Sequence, residues 1–250
     1  VIATRHNTHA ALVMRALHAG KHVYCEKPLC LTLKELEQIE AVAKDRPALG
    51  LVVGFNRRRA PLVNKMTELL RAISKPKSVV MTINAGAIPT NHWTQDPAIG
   101  GGRIVGEACH FVDLSRYLIG APISGFSIIT HDSSRRSSLP RDTAIISLSF
   151  ADGSIASINY LADGHRSFPK ERIEVFTEGK ILQLNNFISL KGWGWKDFTG
   201  MRKFRQDKGV EAFVAETLNA IRSGGSVPIS LEETLEVSRV SILLSEQAST

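Results

Sequence analysis

The fold is decided by residues 1–25, VIATRHNTHAALVMRALHAGKHVYC, in which an apolar run, a polar loop, a helix-forming stretch and a second apolar run follow one another. The unit recurs along the first sixty residues, and we predict strands at 1–4, 22–25 and 49–54 and helices at 8–19, 32–45 and 61–73. Short apolar strands that alternate with helices form a parallel, doubly wound sheet. Because the chain opens on a β-branched apolar run without a methionine, we expect part of a longer or processed protein and a first strand buried on both faces.

After residue 75 the pattern becomes that of a largely antiparallel open sheet. We predict helices at 103–118, 209–223 and 231–247 and strands at 77–85, 123–130, 143–150, 154–161, 172–177 and 180–184. Asp152-Gly153 and Glu178-Gly179 are hairpin signals, so consecutive strands should pair as an antiparallel meander with one open face. The fold class is therefore α/β plus α+β. The change of pattern places a domain boundary between residues 1–74 and residues 75–250.

The composition is that of an ordinary globular protein, with 43% hydrophobic and 22% charged residues. No apolar run approaches the roughly 18 residues that a membrane span requires. The three cysteines, Cys25, Cys30 and Cys109, lack CxxC spacing, which indicates reduced thiols in a cytoplasmic protein and neither a zinc site nor disulfides. The net charge of +7 falls in short, separate clusters and aromatics are only 6%, a pattern that disfavours nucleic acid; an anionic small ligand explains the charge equally well.

Polar residues follow each of the first three predicted strands. They are Thr4-Arg5-His6-Asn7-Thr8-His9, Glu26-Lys27-Pro28 and Asn56-Arg57-Arg58. The handedness of βαβ units brings these loops to one sheet edge, where doubly wound sheets bind ligands. One polar loop is most often merely solvated, but three at one edge indicate a site. Lys27 is either a surface lysine at a turn or, held by the proline after it, a donor of a hydrogen bond or proton to a substrate oxygen.

A second group of candidate residues begins at Gly100-Gly101-Gly102, where glycines let a ligand approach the backbone at a helix start. Glu107, His110 and Asp113 follow at i, i+3 spacing on one helix face. A histidine on an apolar face is usually a core residue, whereas three ionisable groups after three glycines favour a catalytic base. We expect no metal site, because no second ligand cluster accompanies this spacing.

The order of these motifs resembles a known family. In chain order the motifs are Thr4-x-x-Asn7-x-His9, Glu26-Lys27-Pro28, Gly54-Phe55-Asn56-Arg57-Arg58, Gly100-Gly101-Gly102 and His110-x-x-Asp113. Together they look like the motifs of the glucose–fructose oxidoreductase / inositol dehydrogenase / rhizopine catabolism (Gfo/Idh/MocA) family. The resemblance implies that residues 1–74 are a partial dinucleotide-binding (Rossmann) domain that lacks its Gly-rich start. It also implies that residues 75–250 are a substrate-binding and oligomerisation α/β domain, whose open sheet would form a dimer or tetramer. It also implies oxidation or reduction of a sugar, cyclitol or nucleotide-sugar hydroxyl with NAD or NADP.

The resemblance also implies a role for each matched residue. Lys27 would contact the reacting hydroxyl on the nicotinamide side, and His110 would be the general base or acid. The residues implied for cofactor binding are Thr4, Asn7, His9, Glu26, Lys27 and Pro28. Those assigned to substrate binding are Asn56, Arg57, Glu107 and Asp113.

Two departures from the family pattern matter. Family members usually carry Asp four residues before the histidine, where this chain has Gly106 with Glu107 beside it. A neighbouring position on a helix is rotated by about 100°, so whether Glu107 replaces that Asp stays open. The G-x-G-x-x-G turn and the acidic residue after it are also missing, so the choice between NAD and NADP stays open.

Two hypotheses follow. The first is a portion of an NAD(P)-dependent oxidoreductase that acts on a sugar-like hydroxyl, inactive as a fragment because it lacks the phosphate cradle. The alternative is a non-catalytic module that oligomerises through its sheet. The strand at 143–150 favours an open sheet face, since Ile145, Ser147 and Ser149 alternate with apolar residues that would face the core.

Overall fold

The computed structural model describes residues 1–131 and 142–249 of the chain. The backbone divides into two compact units. Unit 1 contains residues 1–56, 90–113 and 211–246, and unit 2 contains residues 57–89, 114–210 and 247–250. The division predicted at residue 74 stays a prediction.

Unit 1 is built on short parallel strands. Strand β1 (Val23–Cys25) pairs in parallel with β2 (Leu51–Val53). The strand predicted at 1–4 is reduced to one bridge residue, Ile2, which pairs with Cys25. Ile2 is buried whereas Ala3 and Thr4 are exposed, so the expectation that this first strand is buried on both faces is wrong for these residues.

Helices cover these strands because their apolar positions recur at helical spacing. Helix α1 (His9–His18) and helix α2 (Leu33–Lys44) bury Val13, Leu17, Leu36 and Ile39. The capping box of Thr32 and Glu35 is present, so it defines the start of α2 as the sequence predicts. Two C-terminal helices also contribute to unit 1.

Unit 2 contains helix α3 (Pro61–Leu70) and a sheet of eight strands. The strands are β3 (Ser78–Asn84), β4 (Ile123–Thr130), β5 (Ala144–Phe150), β6 (Ile155–Leu161), β7 (Glu171–Thr177), β8 (Lys180–Asn185), β9 (Ser189–Trp193) and β10 (Gly200–Arg202). The C-terminal helices are α5 (Val210–Ser223) and α6 (Leu231–Ser249). A further helix, α4 (Cys109–Ile119), runs from unit 1 into unit 2.

The sheet of unit 2 is not the simple meander that the sequence predicts. Its order is β10-β9-β8-β7-β3-β6-β5-β4, so β3 lies between β6 and β7 and pairs in parallel with β6. Strand β3 is apolar on one side. It lies in the centre of the sheet, between β6 and β7, which the meander would have placed side by side. Strands β9 and β10 are also missing from the prediction.

The local features of this sheet agree with the sequence. The Asp152-Gly153 turn joins β5 to β6, and the Glu178-Gly179 turn joins β7 to β8, with positive φ angles at Gly153, Glu178 and Gly179. Along β5 the side chains alternate between buried and exposed, with Ile145, Ser147 and Ser149 exposed. One face of the sheet is therefore packed and the other is open.

Candidate active site

The first loop of unit 1 is held by two histidines. A 3-10 turn (His6–Thr8) precedes α1, where a single helix from residue 8 was predicted. His9 is fully buried, with Nδ1 2.7 Å from the Pro28 carbonyl oxygen and Nε2 3.1 Å from that of Thr4. His9, predicted to lie beside the nicotinamide, thus connects the first loop to the Glu26-Lys27-Pro28 loop.

Lys27 follows β1 and lies before a cis peptide bond to Pro28. Its Nζ donates a hydrogen bond of 2.7 Å to the Gly106 carbonyl oxygen. An ammonium group has three N–H donors, so this contact orients the group while two donors stay available to a ligand. Lys27 as a whole residue is half-buried.

Gly106 lies in a π-helical turn, Ile104–Ala108, that leads directly into α4. The continuous α-helix predicted at 103–118 is therefore wrong in its first part. A π-helical turn widens the backbone by one residue per turn, and such turns are frequent at functional sites. Gly101 and Gly102, just before it, have φ angles of +73° and +78°, which glycine adopts without strain.

His110 lies one helical turn after Gly106, at the start of α4. Its side chain is 6% exposed, and its ring packs edge-on against Phe55 with centroids 6.2 Å apart. Asp113, on the next turn, is 1% exposed. The structure thus brings Lys27 to the helical turn that precedes His110, through the Gly106 carbonyl.

Glu107 forms an ion pair with Arg103, four residues earlier, at 3.0 Å. Arg103 is 4% exposed, so this pair neutralises a buried guanidinium. The role that the sequence left open for Glu107, as a replacement for a family Asp at position 106, stays a prediction. The ion pair with Arg103 gives Glu107 a structural role that is independent of any contact with substrate.

His6 is absent from the predicted site residues, although the structure places it next to Gly106. Its Nδ1 is 2.8 Å from the Gly100 carbonyl oxygen, and its ring packs edge-on against Trp93 with centroids 4.8 Å apart. Burial lowers the pKa of His6 to about 4; the charges of Lys27 and His9 lower it too, while the hydrogen bond to Gly100 opposes the shift. The signal that could have found His6 is the glycine at position 106, which leaves space for a neighbouring ring.

The lowered pKa of His6 predicts an acid-sensitive stability. The unfolded histidine titrates near pH 6.5 and the folded one near pH 4. The unfolded state therefore binds the extra proton in that window, and stability falls as the pH drops from 6.5 to 4, by at most about 3 kcal/mol in total. We expect His6→Asn to flatten this part of the pH profile of urea unfolding, and exposed His18→Asn to leave it unchanged. Parallel profiles for wild type and His6→Asn would contradict the prediction.

Asn56 and Arg57, both predicted to bind substrate, begin a 3-10 turn, Asn56–Arg59. Asn56 is half-buried and belongs to unit 1. Arg57 belongs to unit 2, where it is 6% exposed and donates to both carboxylate oxygens of Glu171, at 3.1 and 3.2 Å. This buried ion pair gives Arg57 a structural partner, and its predicted contact with substrate stays a prediction.

The residues predicted for the cofactor side lie at the carboxyl ends of the unit 1 strands. Thr4 and Asn7 line an open cleft of about 650 Å³ together with Arg5. Glu26 accepts a long hydrogen bond of 3.4 Å from the Tyr24 hydroxyl. A Cβ at Gly54 would lie 3.1 Å from a Glu26 carboxylate oxygen, so the glycine makes room for that side chain.

The chain was compared with known protein families. A family model described as an oxidoreductase family with an NAD-binding Rossmann fold matches residues 1–55. A second model, described as the C-terminal alpha/beta domain of that oxidoreductase family, matches residues 75–250. In the described part of the chain, no helix combines the length and the hydropathy that crossing a bilayer requires.

Individual proteins show the same similarity. The chain is 28% identical over 193 residues to a myo-inositol 2-dehydrogenase of Thermotoga maritima, covering 74% of this chain and 56% of that protein. The chain thus spans about half the length of this curated relative.

Two solved structures share the fold. A levoglucosan dehydrogenase in complex with NADH and levoglucosan has a TM-score of 0.85 at 23% identity, covering 99% of this chain and 77% of that one. A UDP-N-acetylglucosamine 3-dehydrogenase from Acidithiobacillus ferrooxidans has a TM-score of 0.80 at 20% identity, covering 98% and 77%. Together with the family models, these similarities confirm the predicted fold class: part of a Rossmann fold followed by an α/β domain with a largely antiparallel sheet.

Proposed function

The chain belongs to the Gfo/Idh/MocA oxidoreductase family, and on that premise we propose that its protein oxidises or reduces a hydroxyl of a sugar, cyclitol or nucleotide-sugar with NAD or NADP. The alternative hypothesis, a non-catalytic oligomerisation module, receives no support from these comparisons. Relatives named as inositol and levoglucosan dehydrogenases favour a polyhydroxylated ring as substrate.

The observation that carries the proposal is the hydrogen bond from Lys27 to Gly106, one helical turn before His110. The ammonium group of Lys27 thus contacts the helical turn that comes directly before the imidazole of His110. Oxidation of a hydroxyl requires removal of its proton, which an imidazole can accept near neutral pH. An oriented ammonium stabilises the negative charge that develops on the oxygen.

The chemistry of the donor set fits a dinucleotide. When bound, the nicotinamide accepts or returns the hydride. We propose that Thr4 and Asn7, which line the open cleft at the strand ends, hold the nicotinamide side. Glu26 would face the ribose, because a carboxylate accepts hydrogen bonds from ribose hydroxyls.

The test is a titration of the full-length gene product with NAD⁺ and NADP⁺, followed by turnover assays with myo-inositol and levoglucosan. Binding of one dinucleotide with micromolar affinity and its reduction by a polyol would support the proposal. A full-length protein that binds neither dinucleotide would overturn it.

We also propose that the open sheet face is covered by a second copy of this chain. The strand register places three exposed apolar side chains in one row across the sheet: Ile155, Phe176 and Trp193, which are 56%, 39% and 48% exposed. In this row Ser78 lies between Ile155 and Phe176, and Ile181 lies between Phe176 and Trp193. A group of exposed apolar side chains on one sheet face is typical of an interaction surface.

We expect Phe176→Arg to convert the oligomer to monomers in sedimentation at micromolar concentration, since a charge in the centre of the row would have to be buried. Leu218→Arg, a change on helix α5 at similar exposure, is the control and should leave the oligomer intact. A wild-type protein that sediments as a monomer would refute this prediction.

A further inference from the structure

The space above Gly106 is filled by the ring of His6. A Cβ built on Gly106 would lie 3.1 Å from Cε1 and 3.4 Å from Nδ1 of His6. Contacts of this length are tighter than ordinary van der Waals contact, so a side chain at position 106 requires the His6 ring to give way by a few tenths of an ångström. His6 and Gly106 therefore form a matched pair.

The hydrogen bond to Gly100 fixes which nitrogen of His6 carries the proton. A carbonyl oxygen only accepts, so Nδ1, 2.8 Å away, must be the donor. In the neutral ring Nε2 is then an acceptor. No residue within 1–131 or 142–249 donates a hydrogen bond to it. The ring cannot turn easily, because Trp93 packs against it.

Gly106 also joins His6 to Lys27. The ring of His6 lies over this glycine, and its carbonyl oxygen receives the Lys27 ammonium at 2.7 Å. One glycine is thus flanked by a charged donor and an uncharged acceptor. A substrate ring with neighbouring hydroxyls complements such a pair. One of its hydroxyl oxygens can accept a hydrogen bond from the Lys27 ammonium while the next hydroxyl donates one to the His6 imidazole.

We propose that His6 is a substrate-binding residue whose Nε2 accepts a hydrogen bond from a hydroxyl adjacent to the one that Lys27 contacts, and that Gly106 is required because it leaves room for the ring. The inference rests on the proposed function and deepens it. It adds a residue that would bind the hydroxyl next to the reacting one.

Two substitutions of His6 separate its two nitrogens. In His6→Asn the amide nitrogen replaces Nδ1 and keeps the bond to Gly100, while the acceptor at the Nε2 position is lost. We expect the KM for the polyol to rise about tenfold with a smaller change in kcat, the scale of one lost hydrogen bond. His6→Gln returns an acceptor to the outer position and should recover part of the KM. An unchanged KM in His6→Asn would overturn the proposal.

Gly106→Ala tests the pairing from the other side. The added methyl group should push the ring aside by a few tenths of an ångström and raise the KM, though by less than His6→Asn does. The double variant His6→Asn with Gly106→Ala should then be no worse than the worse single variant, because both remove one interaction. Fully additive effects would show that the two positions act independently and would contradict the matched pair.

A measurement without turnover separates this inference from the proposed function. In the full-length protein with ¹⁵N-labelled histidine, Nε2 of His6 should give the resonance of an unprotonated nitrogen near pH 7, and adding myo-inositol or levoglucosan should shift it. The exposed His18 is the internal control. A protonated Nε2, or one that neither polyol shifts, overturns the role of His6 even if the enzyme reduces NAD⁺. A wild type that shows the shift but reduces no dinucleotide counts against the proposed oxidoreductase alone.

Discussion

Replacing His110 by alanine in the full-length gene product is expected to lower kcat by about 100-fold or more, the usual scale for a general acid or base. Without the imidazole, the hydroxyl proton has no positioned acceptor as the hydride leaves. The affinity for the dinucleotide should change much less, because His110 is not among the residues that line the cleft of Thr4 and Asn7.

Lys27→Ala should have an effect on kcat of the same order, because it removes both the ammonium and its bond to Gly106. Asp113→Asn should act more mildly, since Asp113 is buried on the following turn and is assigned an orienting role. The measurement is kcat and KM at saturating dinucleotide, with His18→Ala as the control. Near-wild-type turnover in His110→Ala would refute its assignment, and the same result in Lys27→Ala would leave only a structural turn at Glu26-Lys27-Pro28.

The features of the fold that depend on neighbouring residues were predictable from the sequence. The capping box at Thr32, the two hairpin turns and the alternation along β5 each involve residues within a few positions of one another. Their conformation is set by local hydrogen bonds and by the direction of successive side chains.

The order of the strands was not predictable in this way. Strand β3 pairs with β6 and β7, which follow it by about 75 to 95 residues, and no local pattern encodes that choice. Strand β9 is short and ends on Lys191-Gly192-Trp193. Its glycine interrupts the alternation of apolar and polar side chains by which a strand is predicted.

The site shows the same division. Lys27, His110 and the three loops could be chosen as candidates because motifs and strand ends identify them, and their roles stay predictions. The π-helical turn at Gly106 could not be predicted, because a helix with one extra residue in a turn uses the same residue types as an ordinary α-helix. Nor could the role of Arg57, whose partner Glu171 lies 114 positions further along the chain.

Glu171→Gln is expected to lower the free energy of unfolding of this chain by about 3 to 5 kcal/mol, because it removes the charge that compensates a buried guanidinium. Glu171 is fully buried and accepts from Arg57, at 3.1 and 3.2 Å, and from Lys208 Nζ, at 2.6 Å. Glu174→Gln, three positions along the same strand, is the matched control. Its ion pair with Arg172 is 3.6 Å long and partly exposed, so its loss should cost at most about 1 kcal/mol.

The pH dependence identifies the carboxylate as the cause. Burial alone would raise the pKa of Glu171, but the charges and hydrogen bonds of Arg57 and Lys208 outweigh it and hold the pKa below its ordinary value of 4.5. The stabilisation is therefore fully present above pH 4.5 and is lost as the pH falls through the folded pKa. The difference in the free energy of urea unfolding between wild type and Glu171→Gln should be constant from pH 7 to 5 and should shrink below pH 4.5. Most of the pH range in which His6 titrates lies above that point. A difference that is already small at pH 7 would mean that the buried ion pair contributes little to the stability of the fold.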